Sequence, residues 1–280
     1  MRLLHVDDIS LTIAELCYRA AVCLPEDMRH ALKIAEDAEE SPVGKSVLRS
    51  LLENADIALA EGLPICQDTG MAVVFADIGV EVLLEGGTLE QAVNRGIARG
   101  YKEGRLRKSV VAHPLERHNT GDNTPAVLHL RQIEGDRLRL AVAPKGFGSE
   151  NMTRLFMLNP TAGEEAVVEA AVHAVDEAGA NPCPPVVVGI GLGGTAELAL
   201  EISKRALLRP LATPAASVAA GNLEKRILER INDLGIGPAG LGGRITALAV
   251  HLEEYPTHIA GLPMAVSISC HALRHAEAVL

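Results

Sequence analysis

Three cysteines lie where protein chains usually carry ligands and catalytic groups. Cys66 precedes Gln-Asp-Thr-Gly, Cys183 lies between two prolines, and Cys270 precedes His271. Each is at a junction between a predicted helix or strand and a loop, and loops on a rigid scaffold concentrate binding and catalytic residues. Thiolates are ligands for zinc and for iron-sulfur clusters, so metal binding is the first chemistry to consider.

The spacing of these cysteines leaves the kind of site open. They are separated by 117 and 87 residues, which matches no compact metal motif such as Cys-x-x-Cys. A zinc site of three cysteines plus His271 or His258 is compatible with the residue types. Inert buried thiols are the other alternative, and we interpret Cys17 and Cys23, in an apolar helical region, as small buried hydrophobes.

Polar residues in glycine-rich loops accompany the cysteines: Asp68, Arg107, Lys145 and His258. The segment Lys145-Gly-Phe-Gly-Ser149 could bring backbone N–H groups close to an anion, because glycine has no Cβ in the way. We expect Gly146 or Gly148 to make that contact. An ordinary turn after a strand is the alternative interpretation of this loop.

A second glycine pattern raises a different functional class. Gly189, Gly191 and Gly194 follow a valine-rich predicted strand and imitate the dinucleotide-binding fingerprint of nicotinamide enzymes. That fingerprint requires an acidic residue about 20 residues later. Residues 208–214 read Leu-Arg-Pro-Leu-Ala-Thr-Pro, without an acid. We therefore favour a tight strand-to-helix turn beside Cys183 that donates N–H groups near the metal site.

Composition excludes several classes of protein. With 280 residues and 48% hydrophobic content, the chain can bury a substantial core. A net charge of −10 and 2% aromatic residues argue against a nucleic-acid surface. We expect a cytoplasmic protein with reduced thiols, since the N-terminus lacks a signal-peptide pattern and five cysteines do not suggest a disulfide framework.

Helical and strand patterns alternate along the chain. Helical spacing covers the first 60 residues, and strands are predicted at 71–78, 185–188 and 264–269. Residues 126–133 and 138–142 predict a hairpin, and capping boxes are predicted at Thr88 and Thr161. A further helix is expected from Asn222. These patterns predict an α/β fold, with mixed sheets surrounded by helices, as one domain over residues 1–280.

Six ordered motifs resemble a known family. They are Ile65-Cys-Gln-Asp-Thr-Gly70, Asn119-Thr-Gly-Asp-Asn-Thr-Pro125, Lys145-Gly-Phe-Gly-Ser-Glu-Asn151, Asn181-Pro-Cys-Pro-Pro185, Gly191-Leu-Gly-Gly-Thr195 and Ser269-Cys-His-Ala-Leu-Arg-His275. Together they are similar to the α subunit of class I fumarate hydratases and tartrate dehydratases, from about residue 10 to the C-terminus.

The resemblance implies a 4Fe-4S cluster bound by Cys66, Cys183 and Cys270, with one iron lacking a protein ligand. Such an open iron suits hydration chemistry, because substrate can bind it as a Lewis acid. By the same resemblance, Asp68 and His258 form an acid/base pair near the substrate hydroxyl.

The resemblance also implies which residues contact the substrate. Arg107 is expected to bind a substrate carboxylate, with Gln67 and the backbone of Gly146 or Gly148 as further contacts.

The resemblance also implies a partner. Single-chain family members carry a second domain with a Lys-Gly-Thr motif, which does not occur here after Cys270. We expect a separate β subunit to supply the catalytic base and the remaining carboxylate clamps, in an α2β2 assembly or around an α homodimer. Fumarate is the first expected substrate, before tartrate and methylfumarate, and the open iron predicts sensitivity to oxygen.

Overall fold

Alternating helices and strands build the protein, and the computed structural model describes all of residues 1–280. In chain order the elements are β1 (Arg2–His5), α1 (Val6–Val22), α2 (Glu26–Ala38), α3 (Pro42–Glu61), β2 (Met71–Gly79), β3 (Val82–Glu85), α4 (Leu89–Glu103), β4 (Val127–Ile133), β5 (Leu138–Lys145), α5 (Phe147–Glu150), β6 (Arg154–Leu158), α6 (Gly163–Ala178), β7 (Val186–Gly193), α7 (Ala196–Ala206), α8 (Val218–Asn232), β8 (Ala247–Tyr255), β9 (Leu262–Ser269) and β10 (Ala276–Val279). The predicted α/β class with mixed sheets and flanking helices is confirmed.

The chain divides into two compact units, each assembled from segments distant in sequence. Unit 1 comprises residues 1–24, 55–147 and 274–280, and unit 2 comprises residues 25–54 and 148–273. Each has its own buried aliphatic core. The expectation of a single domain stays a prediction.

Unit 1 contains a four-stranded sheet in the order β10-β5-β2-β4 and a two-stranded parallel sheet of β1 and β3. The predicted hairpin of β4 and β5 is wrong, because β2 lies between them, parallel to β4 and antiparallel to β5. The turn at residues 134–136 instead wraps the end of β2, where Glu81 N–H donates to Gly135 O at 3.0 Å. Strand β2 takes the central position because most of its residues are buried.

Unit 2 contains a four-stranded mixed sheet in the order β6-β9-β7-β8, with β7 parallel to β8 and antiparallel to β9. Gly189 and Gly191 lie inside β7 rather than in a loop. A Cβ atom on Gly191 would lie 2.1 Å from Ala199 O of α7, so these glycines allow the helix to approach the strand. Gly193 and Gly194, both with positive φ, form the predicted strand-to-helix turn. Its expected position beside Cys183 is wrong, because Cys183 precedes β7 and the turn follows the opposite end of that strand.

Three predicted helix starts had different outcomes. The capping box at Thr88 is confirmed, since its hydroxyl accepts from Gln91 N–H and the Gln91 side chain accepts from Thr88 N–H. The box at Thr161 is wrong, because the Thr161 hydroxyl bonds to Asn159 Oδ1 and α6 begins without a side-chain cap. Helix α8 begins at Val218, capped by Ser217, four residues before the predicted start.

No helix combines the length and apolar character that crossing a membrane requires.

Candidate functional site

Cys66 lies in a tight turn of unit 1, residues 66–70, that we call the Cys66 turn. The Asp68 N–H donates to Cys66 Sγ at 3.4 Å, and the Asp68 carboxylate accepts from Gly70 N–H at 3.0 Å. The other carboxylate oxygen accepts from Phe147 N–H at 2.9 Å. A partly exposed sulfur that already accepts an N–H bond is a suitable soft ligand for a metal.

Two further segments, residues 107–110 and Asn123, converge on the Cys66 turn within unit 1. The Thr69 hydroxyl donates to Arg107 O at 3.0 Å, which fixes the exposed Arg107 beside the turn. The buried Asn123 donates to Gly70 O at 3.2 Å and accepts from the N–H groups of Ser109 and Val110. The positions of these polar residues are therefore set by side-chain to backbone hydrogen bonds.

Gly146, directly after β5, lies beside the same carboxylate. A Cβ atom on Gly146 would lie 3.2 Å from Asp68 Oδ2, so a larger residue there would press on the carboxylate. Unit 1 thus brings Cys66, Asp68, Arg107 and Gly146 together, with Gln67 next to the cysteine. The Cys66 thiol lies 3.5 Å from Gln67 Oε1.

Two buried residues that sequence reasoning missed complete the Cys66 turn. The Tyr101 hydroxyl donates to Thr69 O and Gly70 O at 3.0 and 2.9 Å. Burial raises the pKa of Tyr101, which keeps the hydroxyl protonated as a donor. Arg274 is 4% exposed and donates through Nη2 to Asp68 O. Arg274 lay within one of the six motifs, which was the available signal.

Cys183 and Cys270 lie in neighbouring segments of unit 2. Cys183 precedes β7 and Cys270 follows β9, and these antiparallel strands pair with Val187 opposite Ser269. The carbonyl of Cys183 accepts from His271 N–H at 3.4 Å and lies 3.0 Å from His271 Nδ1. Because a carbonyl only accepts, the Nδ1 atom carries the proton. The sheet therefore brings these two cysteine segments to one of its ends.

The Cys183 loop, residues 180–185, is shaped by backbone contacts. Cys183 has φ of 55°, which is rare for a residue with a side chain and indicates a functional constraint. Ala239 N–H donates to Pro184 O at 2.8 Å, and a Cβ atom on Gly240 would lie 2.3 Å from Ala180 Cβ. The glycine loop, residues 237–243, therefore closes over the Cys183 loop.

A buried glutamate anchors the end of the glycine loop. Glu39 is 1% exposed, and its carboxylate accepts from the N–H groups of Arg244 and Ile245 at 2.9 and 2.8 Å. It also accepts from Glu40 and Ser41 N–H. These backbone bonds hold the pKa of Glu39 below its ordinary value, although desolvation by burial, the largest single contribution, acts in the opposite direction.

His258 lies at the opposite end of the unit 2 sheet from Cys183 and Cys270. It follows β8, whose last residue Tyr255 pairs with Gly193 at the far end of β7. Strand β7 has eight residues, so its two ends are roughly 23 Å apart. Within unit 2, His258 is thus not brought together with the two cysteines, which opposes it as a fourth zinc ligand beside them. Its imidazole accepts from Ala260 N–H at 3.1 Å.

The remaining predicted residues divide as follows. Gly148 lies in unit 2, where a Cβ atom would meet Asn181 O at 3.2 Å. Cys17 is fully buried, and burial raises the pKa of its thiol to about 12, as expected for an inert thiol. Cys23 is only partly buried.

No three or more His, Cys, Asp and Glu side chains are grouped in the structure to hold a metal ion. The donor chemistry nevertheless suits an iron-sulfur cluster. Cys66, Cys183 and Cys270 are all at least partly exposed, unlike Cys17, and thiolates are the usual ligands of such clusters. The buried guanidinium of Arg274 also has two N–H atoms, Nε and Nη1, without a partner, which is compatible with an anionic group nearby.

Comparison with known proteins gives one consistent family. The family model described as "Fumarate hydratase (Fumerase)" matches residues 10–279. A Methanocaldococcus jannaschii protein provisionally named L(+)-tartrate dehydratase subunit alpha is 42% identical over 274 residues, covering 96% of each chain. The L(+)-tartrate dehydratase subunit alpha of Escherichia coli UTI89 is 32% identical over 273 residues, covering 96% of this chain and 89% of the relative. That of Shigella sonnei is 31% identical with the same coverage.

Proposed function

The chain belongs to the fumarate hydratase (Fumerase) family, and from this membership we propose that it is the α subunit of an iron-sulfur hydro-lyase acting on a C4 dicarboxylic acid. The first proposed reaction is the reversible hydration of fumarate to L-malate. In the dehydration direction, malate loses the hydroxyl at C2 and a proton at C3, which leave together as water. We propose the cytoplasm as its location, where thiols stay reduced.

The observation that carries the proposal is the family match together with the placement of the cysteines at structured turns. Cys66, Cys183 and Cys270 would hold a 4Fe-4S cluster with one iron open. When bound, that cluster would supply a Lewis acid for the substrate hydroxyl. Two of the three cysteine segments already adjoin through the bond between His271 and Cys183 O, which supports a shared ligand role.

The polar residues of unit 1 would bind and orient the substrate. Arg107 offers a planar fork of donors for a substrate carboxylate, and its main chain is fixed by Thr69. The backbone of Gly146 in unit 1, or of Gly148 in unit 2, would be a further contact for a substrate anion. Gln67 is adjacent to the cysteine and would contact the same substrate.

Asp68 would handle the proton of the leaving hydroxyl. Its two carboxylate oxygens are held by the N–H groups of Gly70 and Phe147, so the carboxylate is oriented before substrate binds. The partnership of His258 with Asp68 stays a prediction. Asp68→Asn is expected to lower kcat by about 100-fold or more with normal cluster content. Unchanged turnover in a fully loaded Asp68→Asn or His258→Asn variant would remove that residue from the mechanism.

We propose a β subunit as the partner, since the relatives are named as alpha subunits. It would supply the base for the C3 proton, a Thr by resemblance, and the remaining carboxylate clamps. The assembly would be α2β2 or would contain an α homodimer. The α chain alone is expected to bind a cluster and to show little or no turnover.

The central experiment is anaerobic coexpression with the β subunit, followed by iron and sulfide analysis and assays on malate, tartrate and citramalate. We expect four irons per α chain, an absorbance that bleaches on reduction, and loss of one iron and of activity in air. Cys17→Ser is the matched control, and it should load normally, whereas Cys183→Ser should not. An air-stable active enzyme without iron would refute the proposal.

L(+)-tartrate is the second candidate substrate, favoured by the names of the relatives. Its dehydration removes one hydroxyl and the hydrogen of the neighbouring carbon, and gives the enol of oxaloacetate. The two substrates differ by one hydroxyl, so a site that hydrogen-bonds this group discriminates by kcat/KM. The ratio of kcat/KM for malate and tartrate in the αβ enzyme decides between them.

A further inference from the structure

Arg274 is a buried cation whose charge is not balanced by any ion pair within the structure. The residue is 4% exposed, and its Nη2 donates a hydrogen bond to the carbonyl oxygen of Asp68. The Nε and Nη1 atoms are buried without a hydrogen-bond partner. A carbonyl satisfies one donor but does not neutralise the guanidinium.

An unpaired buried charge is costly. Buried guanidinium groups are normally paired with anions, and an uncompensated one costs several kcal/mol. The Asp68 carboxylate forms no ion pair with Arg274, and its two oxygens accept instead from the N–H groups of Gly70 and Phe147. The two free donors of Arg274 therefore indicate an anion that the chain itself does not supply.

The position of the donors indicates where that anion binds. Arg274 holds the carbonyl of Asp68, and the N–H of the same residue donates to Cys66 Sγ. The guanidinium and the Cys66 sulfur are thus both hydrogen-bonded to the backbone of one residue, Asp68. The buried Tyr101 hydroxyl donates to Thr69 O of the same turn.

Burial distinguishes a resident anion from an exchanging one. A substrate carboxylate enters and leaves at every turnover, so its arginine must be reachable from solvent, as the exposed Arg107 is. Arg274 is enclosed and lacks that access. A 4Fe-4S cluster held by three thiolates has a net negative charge and stays bound between turnovers.

We propose that Arg274 is the buried counter-charge of the cluster and donates N–H bonds to sulfur atoms on the Cys66 side. This inference rests on the proposed function, because it requires the cluster. Arg274 then acts as a positioning and tuning residue: it fixes the Cys66 turn through Asp68 O and stabilises the reduced, more negative cluster. Hydrogen bonds to sulfur and local charge are known determinants of cluster potential.

The experiment uses protein labelled with ¹⁵N-arginine, reconstituted anaerobically with iron and sulfide and reduced by one electron. Pulsed electron paramagnetic resonance is expected to detect an arginine ¹⁵N coupling to the cluster. Arg274→Lys should abolish that coupling. Arg131→Lys is the matched control, since Arg131 is an exposed arginine of the same unit that pairs with Asp77, and its loss should leave the coupling intact.

The midpoint potential gives a second readout. Arg274→Gln should make the potential more negative than in the wild type, and Arg274→Lys should shift it less. Circular dichroism and thermal melting of the apo chains establish whether each variant folds. If Arg274→Gln does not fold, the coupling in the wild type and its loss in Arg274→Lys still test the proposal.

The outcomes separate the inference from the function on which it rests. A wild-type chain that forms no cluster signal overturns the proposed function and the inference with it. A cluster signal without arginine coupling overturns the inference alone. A folded Arg274→Lys variant with unchanged potential and coupling, or with only a raised KM for the dicarboxylate, also overturns it.

Discussion

The two units hold their cysteines in different ways. In unit 1, polar side chains bond to the backbone of the Cys66 turn, with Tyr101, Asn123 and Arg274 as donors. In unit 2, the Cys183 loop is shaped by the close approach of the glycine loop, and a single carboxylate, Glu39, anchors the end of that loop.

This difference determines how each cysteine segment should respond to mutation. Several independent hydrogen bonds stabilise the Cys66 turn, so the loss of one leaves the others in place. The conformation of the Cys183 loop depends on one carboxylate and on close contacts that only glycine allows. It should therefore tolerate fewer substitutions. We expect variants around Cys183 to show the larger effects.

The largest expected effect is that of Glu39→Ala. Removing the carboxylate leaves four backbone N–H groups without their acceptor, two of them from Arg244 and Ile245. We expect a loss of about 4 kcal/mol in the free energy of unfolding, measured by urea denaturation. In the variant, the Cys183 thiol should also react faster with iodoacetamide, while Cys66 should not.

Glu40→Ala is the control for this variant. Glu40 is a neighbouring exposed residue that pairs with Arg244 through an ion pair at the surface. Its loss should change stability by less than about 1 kcal/mol. If Glu39→Ala and Glu40→Ala behave alike, Glu39 does not anchor the glycine loop.

The next effect is that of Gly240→Ala. A Cβ atom at this position would lie 2.3 Å from Ala180 Cβ, and φ is +74°, so both contact and backbone are unfavourable. We expect a loss of about 3 kcal/mol. Gly242→Ala is the matched control, because its φ of +80° imposes the same backbone strain in open space. It should cost about 1 kcal/mol. Equal losses would mean that contact with the Cys183 loop is unimportant.

A smaller effect is expected in unit 1 for Tyr101→Phe. The variant removes the hydroxyl that donates to Thr69 O and Gly70 O, while the ring keeps its packing. We expect a loss of about 1.5 kcal/mol and faster alkylation of Cys66 with Cys183 unchanged. Tyr18→Phe, at an exposed tyrosine, should have almost no effect. If Tyr101→Phe lost as much stability as Glu39→Ala, the Cys66 turn would not be stabilised by several independent hydrogen bonds.

Local patterns predicted much of the fold because they reflect local physics. The helices of the first 60 residues, the box at Thr88 and the strands at β2, β7 and β9 all follow from periodicity or short-range capping. The hairpin failed because pairing is a long-range property, and β2, about 50 residues earlier in the chain, took the position between β4 and β5. The strands β1, β3, β6, β8 and β10 were not predicted, and β1 lies in the region where helix was expected.

The candidate site was predictable only in part. The motif at residues 65–70 marked Cys66 and Asp68, whose site roles stay predictions. Tyr101 and Glu39 lie in ordinary helical sequence and become important only through tertiary contacts. Gly189 and Gly191 were misinterpreted because a strand glycine that admits a helix has the same sequence signal as a loop glycine. His258 and Cys270 are separated because β9 runs between them, over a segment that the sequence already predicted as a strand at residues 264–269.

The smallest expected effects concern pH, and they differ between the units. In unit 2, burial lowers the pKa of His251, and the nearby Arg209 adds to this effect. The His251 imidazole therefore binds a proton more readily in the unfolded chain than in the folded chain. Stability should fall as pH drops below about 6.5, by less than about 1.4 kcal/mol per pH unit. In unit 1, burial raises the pKa of Cys17 to about 12. Its stabilising contribution is complete below the ordinary thiol pKa and is lost as pH rises toward 12.

Hydrogen exchange of the apo chain at pH 6 and pH 10 distinguishes the two responses, because it resolves β8 from α1. His251→Gln keeps a donor for Ala206 O without titrating, so it should flatten the acid response and leave the alkaline one intact. Cys17→Ala should do the reverse. An acid response at pH 6 that survives in His251→Gln would assign it to another group. Glu39 is not that group, because its lowered pKa makes its contribution disappear only as pH falls below about 4.5.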